Sequence, residues 1–190
     1  MTLLSIESIL GRLERTVREQ AAHQILDGRD PAHGAFVNPL YGAPDPSHVG
    51  TMAYAGLLGA LWLSPWRPTA AAQRADVARR FVAATGYLVR AQRPSGRIDL
   101  LPCNLDSAPD TGFAVQIACA LIGLDRAARR GTTTLPAAGR RHLERFVTRA
   151  VPGLVTGGFH TPNHRWVVAS ALAHAGVLFP RLRCDSVVGA

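Results

Sequence analysis

The stretch His48-Val49-Gly50-Thr51-Met52-Ala53-Tyr54-Ala55-Gly56-Leu57-Leu58-Gly59-Ala60-Leu61-Trp62-Leu63 carries no Asp, Glu, Lys or Arg and is apolar almost all the way round a helix. A surface helix keeps a polar face, so this pattern predicts a helix buried on most sides. At 16 residues it is too short for the roughly 20 that a bilayer span requires, and Gly and Thr interrupt it. The segment 109–124 reads the same way and is also expected in the interior.

Around these two, apolar residues recur at helical spacing near 3–26, 70–91, 136–150 and 162–178, and alternating strand patterns are nearly absent. The fold class is therefore all-α, built of successive antiparallel helical hairpins. In the first segment Leu3, Ile6, Ile9, Leu10, Leu13 and Val17 form one stripe, which predicts an amphipathic helix laid over a core. Helix starts are marked by Thr69 after Pro68, by Ser107 followed by Pro109 and Asp110 in capping-box spacing, and by Thr161 before Pro162. The loops at 27–47, 92–108 and 152–161 are rich in Gly, Pro, Asn and Asp, and loops of that kind on a helical scaffold usually hold the site. No repeat of strict period is visible, although three helical hairpins in succession would make a structural repeat.

The chain has 190 residues, 47% of them hydrophobic, which is enough for one domain with a core, expected over 1–180 with an irregular tail at 181–190. Its net charge of +8 favours an anionic partner. All 21 basic residues are Arg, spread over every segment in the manner of codon bias and not of a basic recognition helix, which argues against nucleic acid. Cys103, Cys119 and Cys184 show no CxxC spacing, so neither a disulfide framework nor a zinc site is indicated, and a reducing cytoplasm fits best. The N-terminus lacks the features of a secretory signal, and no membrane association is expected. Without HxxxH, HExxH, GxGxxG, GxxxxGK[ST] or GxSxG, no metal and no cofactor are expected.

The densest functional string is Gly157-Gly158-Phe159-His160-Thr161-Pro162-Asn163-His164-Arg165-Trp166, a glycine turn running into a helix start. Backbone N–H groups and the helix dipole there favour a carboxylate, and an amide, an imidazole and a guanidinium would converge on it. His164 is placed to take a proton from carbon or oxygen. The competing reading makes Asn163 and His164 local caps and Trp166 a core residue. A second string, from Gly96 to Gly112, offers Asp99, Asn104, Asp106 and Asp110 as acid, base or sugar-hydroxyl partners. For Ser107 and Asp110 a capping role is preferred. A third, from His33 to Gly42, offers Tyr41 for stacking on a sugar. His23, His48, His142 and His174 stand alone and read as surface or satisfied core residues.

The strings Gly158 to Ala173 and Ile98 to Thr111, with the helical spacing, resemble the N-terminal helical part of heparinase II/III-like and alginate-lyase-type polysaccharide lyases. The resemblance extends over most of 30–180 and implies an incomplete (α/α) toroid with roughly half the helices of a closed ring. It implies that Asn163 neutralises a uronate carboxylate and that His164 removes the C5 proton. A tyrosine or second histidine would protonate the leaving oxygen. Arg165, His160, Trp166, Asn104, Asp106 and Tyr41 are the candidate substrate-binding residues, and the ligand would be an acidic polysaccharide or oligosaccharide. The family's late tyrosine is missing, so the chain reads as a truncated member. A helical-toroid glycoside hydrolase using Asp99, Asp106 or Asp110 is one alternative. The other is a non-catalytic helical interaction or regulatory protein, including one that pairs with itself or with a partner to complete the ring.

Overall fold

A computed structural model describes residues 5–37, 46–65, 71–101, 103–128, 133–158 and 161–182. Its helices are α1 (Ile6–Gln20), α2 (His48–Leu63), α3 (Ala71–Ala91), α4 (Ala108–Ala127), α5 (Ala137–Thr156) and α6 (Pro162–Leu178). Two short antiparallel pairs accompany them: β1 (Phe36–Val37) with β2 (Pro46–Ser47), and β3 (Ile98–Leu100) with β4 (Asn104–Ser107). The all-α expectation holds. The strands, at two to four residues, are too short to leave an alternating pattern.

Helices α2, α4 and α6 run parallel in an inner layer. A Cβ at Gly56 or Gly59 of α2 would press on Ile117 or Leu121 of α4. Gly112 of α4 faces Val167 of α6, whose carbonyl accepts from Gln116 Nε2 at 3.1 Å. Further along the same pair, Arg126 donates to Leu178 O. Helices α1, α3 and α5 form an outer layer, also parallel, with Gly139 of α5 against Phe81 of α3 and Gly86 of α3 against His142 of α5. The two layers are antiparallel, since α2 meets α3 at His48 with Tyr87 and at Trp62 with Arg74. Between them lies the core, including Leu58, Phe81, Leu88, Ile122, Leu143, Phe146 and Leu172.

The sequence reading of α2 and α4 as buried on most sides follows from this arrangement, because α2 packs on α1, α3 and α4 and α4 packs on α2, α5 and α6, while Phe113 and Leu124 of α4 stay exposed. Outer helices need only one apolar stripe. For α1 the stripe is only partly used: Val17 is buried and Leu10 and Leu13 are half-buried, but Ile6 is 67% exposed and Ile9 is also exposed. The expectation that α1 covers the core along its length is corrected to its C-terminal half. Helix α5 outlasts its expected end because Pro152 sits inside it. Pro152 forgoes one backbone hydrogen bond, while Val151 and Leu154 on either side of it are buried.

A structural repeat does exist. In the first unit Gln24 Nε2 donates to Gly34 O and to Arg80 O of the next outer helix, at 3.2 and 3.0 Å. In the second Gln92 Nε2 donates to Gly96 O and to Phe146 O, at 2.7 and 3.0 Å. Gly34 and Gly96 adopt φ of +94° and +85°, and a Cβ on either would collide with the carbonyl of Ala83 or Arg149 on that next helix. Past the glycine, the N–H of Phe36 or Ile98 donates to the hydroxyl of Thr51 or Thr111. That hydroxyl donates in turn to Ser47 O or Ser107 O. Ser47 and Ser107 cap α2 and α4 by accepting from the N–H of Gly50 and Asp110. The capping role preferred for Ser107 and Asp110 is therefore what the structure contains.

Two measurements check this scheme. Thr111→Val leaves the buried Ile98 N–H unpaired and is expected to lose about 1–3 kcal/mol in urea unfolding. Gly96→Ala is expected to destabilise, whereas Gly11→Ala, in mid-α1 with open space around it, should stabilise by roughly 0.5–1 kcal/mol. Equal effects of the two glycine substitutions would refute the close approach.

Candidate functional site

The parallel inner layer brings the N-termini of α2, α4 and α6 to one end of the molecule, together with both strand pairs. Helix α6 begins at Thr161 and Pro162, with proline at its first position. Thr161 makes no side-chain capping bond; its hydroxyl donates instead to Asn163 Oδ1. Asn163 and Arg165 are exposed, and Trp166 is 76% exposed. His164 is half-buried, and its Nδ1 is enclosed without a hydrogen-bond partner among the described residues.

Asn163, His164 and Arg165 do not converge as the sequence reading expected. Successive residues on a helix point about 100° apart, and His164 lies on the stripe of Val168, Ala171, Leu172 and Ala175, all buried. Asn163 lies off that stripe in solvent. The reading of Trp166 as a core residue is likewise replaced, because its position places it on the far side of α6 from that stripe. Tyr41 and His160 lie outside the described residues, as does the helix start expected at Thr69.

The second string folds into a connected polar network at the same end. Asp99, almost fully buried, accepts from Arg93 Nε and from the Asp106 N–H, both at 2.6 Å. The Asp99 N–H donates to His48 Nδ1 at 3.1 Å. Asp106, held at φ +53°, accepts from Ser95 Oγ and from Arg97. Asn104 Nδ2 donates to Ser107 Oγ at 2.8 Å. Asn104 and Asp106, expected to meet sugar, are thus already engaged in holding the β3–β4 connection.

Burial acts to raise both carboxyls. For Asp99 it is outweighed by the Arg93 hydrogen bond and the Asp106 N–H, and for Asp106 by the Ser95 and Arg97 hydrogen bonds, so both end below the usual value. Burial also lowers His48, against the pull of Asp99. Because Nδ1 accepts, the proton of the neutral ring resides on Nε2. Tyr87 stacks obliquely on His48 with centroids 5.8 Å apart, and burial pushes its phenol up to about 12.

His48 reads correctly as a satisfied core histidine, but its partner lies in the next unit, so no local spacing could reveal the pairing. Arg93 and Arg97 were legible in principle, since two arginines are followed closely by Asp99 and Asp106 within one short stretch. Among the described residues no group of three His, Cys, Asp or Glu side chains could hold a metal ion. No helix there is long and apolar enough to cross a membrane. No family profile matches the chain, and neither does any curated protein or solved structure.

The network predicts an acid-sensitive fold. Unfolding returns His48, Asp99 and Asp106 to their ordinary values, so the unfolded chain binds more protons and stability falls as acid is added. The first loss comes as pH drops from about 6.5 through the lowered value of His48, and the second as it drops from about 3.8 through those of the two carboxyls. His48→Asn, which can still accept from the Asp99 N–H, is expected to flatten the first window in urea midpoints taken from pH 7 to 5. An unchanged slope would remove His48 from the account.

Proposed function

We propose that the chain is an arc of an (α/α) toroid that binds an acidic, uronate-containing glycan where α6 begins and acts on it by β-elimination. The observation that carries this reading is the composition of that helix start. It combines an exposed Trp166 able to stack on a sugar ring, the exposed Asn163 amide and the half-buried His164 imidazole in the first turn of one helix. The repeated unit supports the arc, because the first two units are each an outer helix, a glycine loop and an inner helix tied forward to the next outer helix.

The chemistry follows from the acidity of the C5 proton. Beside an ionised carboxylate that proton is too weakly acidic to remove until fixed donors neutralise the charge. The exposed Asn163 amide and the positive end of the α6 dipole neutralise the carboxylate. His164 takes the C5 proton, the C5 electron pair forms the C4–C5 double bond, and the C4–O bond breaks with its electrons on the leaving oxygen. That oxygen takes a proton from Tyr41 or His160. Tyr54 and Tyr87 are buried in the α1–α2–α3 packing and do not serve.

The hydrolase alternative is less well supported. A glycosidase acid must hold its proton near neutrality, which requires a raised value, and Asp99 and Asp106 are lowered instead.

The test is ultraviolet absorbance of the unsaturated uronide on incubation with alginate, polygalacturonate, hyaluronan and heparan sulfate. One of these is expected to give a rise, His164→Ala to slow it by about 10²-fold or more, and Trp166→Ala to weaken oligouronate binding in calorimetry. No rise and no heat with any of them overturns the reading; reducing ends released without absorbance would point to the hydrolase.

A further inference from the structure

Helices α3 and α5 lie side by side in the outer layer, and an open cleft of about 380 Å³ runs between them. Its polar groups come from three segments: His33 from the loop after α1, Arg90 from α3, and His142 and Arg145 one turn apart on α5. Val82, Ala83 and Val89 form its apolar wall. Gly86 lets the polar groups close in, because a Cβ there would lie 3.3 Å from His142 Cε1 and 3.6 Å from Arg90 Nη1. The imidazole and the guanidinium therefore border the same space.

Among the described residues no carboxylate lines the cleft, and neither Arg90 nor Arg145 takes part in an ion pair. Arg90 uses one of its N–H donors on His33 O. The acids on the neighbouring elements are engaged elsewhere: Asp27 and Asp30 accept from the N–H groups of Arg29 and Ala32, Asp76 pairs with Arg79 and Arg80, and Glu144 faces Arg126. The Thr85 hydroxyl donates to Phe81 O at 2.9 Å and accepts from His142 Nδ1 at 3.3 Å, which leaves His142 Nε2 as the acceptor of the neutral ring. Burial lowers the His142 value, and Arg141, Arg90 and Arg145 lower it further against a hydrogen bond to Val82 O. Positive charge is thus concentrated around one ring.

We propose that this cleft binds a small phosphate monoester, with Arg90, Arg145 and His142 around the phosphate and Val82, Ala83 and Val89 against the organic group. Charge selects the ligand. A phosphate monoester carries about −1.5 to −2 at pH 7 and so balances both arginines, whereas a carboxylate balances one. The guanidinium fork matches the spacing of phosphate oxygens, and the bonds are strengthened by charge on both partners. Size selects the ester. The cleft volume falls in the range of about 300–1,000 Å³ found for small-molecule sites, far more than a bare phosphate fills. The inference does not rest on the glycan reading, since no residue of α6 lines the cleft.

Calorimetric titration of the full chain with phenyl phosphate at pH 7 and low salt reads the result. Saturable binding of one molecule per chain is expected. Arg145→Gln, at an exposed position, and His142→Gln should each weaken it by about 10-fold or more with unchanged far-ultraviolet dichroism. Arg12→Gln, exposed on α1, removes the same charge far from the cleft and should leave the affinity as it is. In the wild type, the His142 ring proton resonance should titrate at higher pH with phenyl phosphate present, because a dianion beside the ring favours its charged form. Absence of saturable heat overturns the inference, as does a His142 resonance that the ligand leaves unmoved. Equal weakening by Arg12→Gln and Arg145→Gln would reduce the binding to general attraction by a +8 chain and overturn it too. Inorganic phosphate bound as tightly as phenyl phosphate would overturn the ester and the role of the apolar wall.

Discussion

At Gly34 and Gly96 a loop backbone touches the backbone of the following outer helix, and there is no room there for a side chain. Around each contact a buried glutamine amide links two carbonyls, one in its own loop and one on that next helix. An amide donor satisfied twice in the interior is a strong positional constraint, because displacing it strands both its hydrogens. From that contact the rest follows. The loop is pinned, the following N–H finds the threonine hydroxyl, the serine cap falls at the helix start, and the inner helix is launched antiparallel to the outer one. Repeating the step gives two parallel layers with all inner N-termini at one end.

Much of this was written in the sequence at the level of faces. α2 and α4 are apolar on nearly every side because each packs on three other helices, whereas α3 and α5 keep charged residues toward solvent. Three hairpins in succession suggest a repeat, but its units are unequal: the intervals from Gln24 to Gln92, Gly34 to Gly96 and Thr51 to Thr111 all differ, so no fixed period registers. What survives is a Gly-x-apolar triplet and a Ser-x-x-x-Thr quintet, short patterns that acquire meaning only when the hydrogen bonds are seen. The site was legible as a helix start and no further. Residue adjacency suggested that Asn163 and His164 would act together, but neighbours in sequence diverge around a helix, and which of them turns inward depends on the position of α4 and α5.

The polar end of the molecule divides its labour. The β3–β4 network uses its carboxylates on arginines and backbone amides of the same loop, and its histidine on the neighbouring unit, so its charges are balanced within the fold. The start of α6 is composed differently, with Asn163, Arg165 and Trp166 exposed. The first network keeps two units in register, and the start of α6 sits on a helix that Val168, Ala171 and Leu172 anchor.

The direction of the glutamine ties bears on how the chain matures during synthesis. Every tie runs from an earlier unit to a later helix, so Gln24 cannot complete its bonds until Arg80 has left the ribosome. At about 5–20 residues per second that is a wait of roughly 3–11 s. The newborn first hairpin spends that interval with an unsatisfied amide and an open apolar flank, and its native geometry is locked retroactively by sequence that did not yet exist when it began to fold.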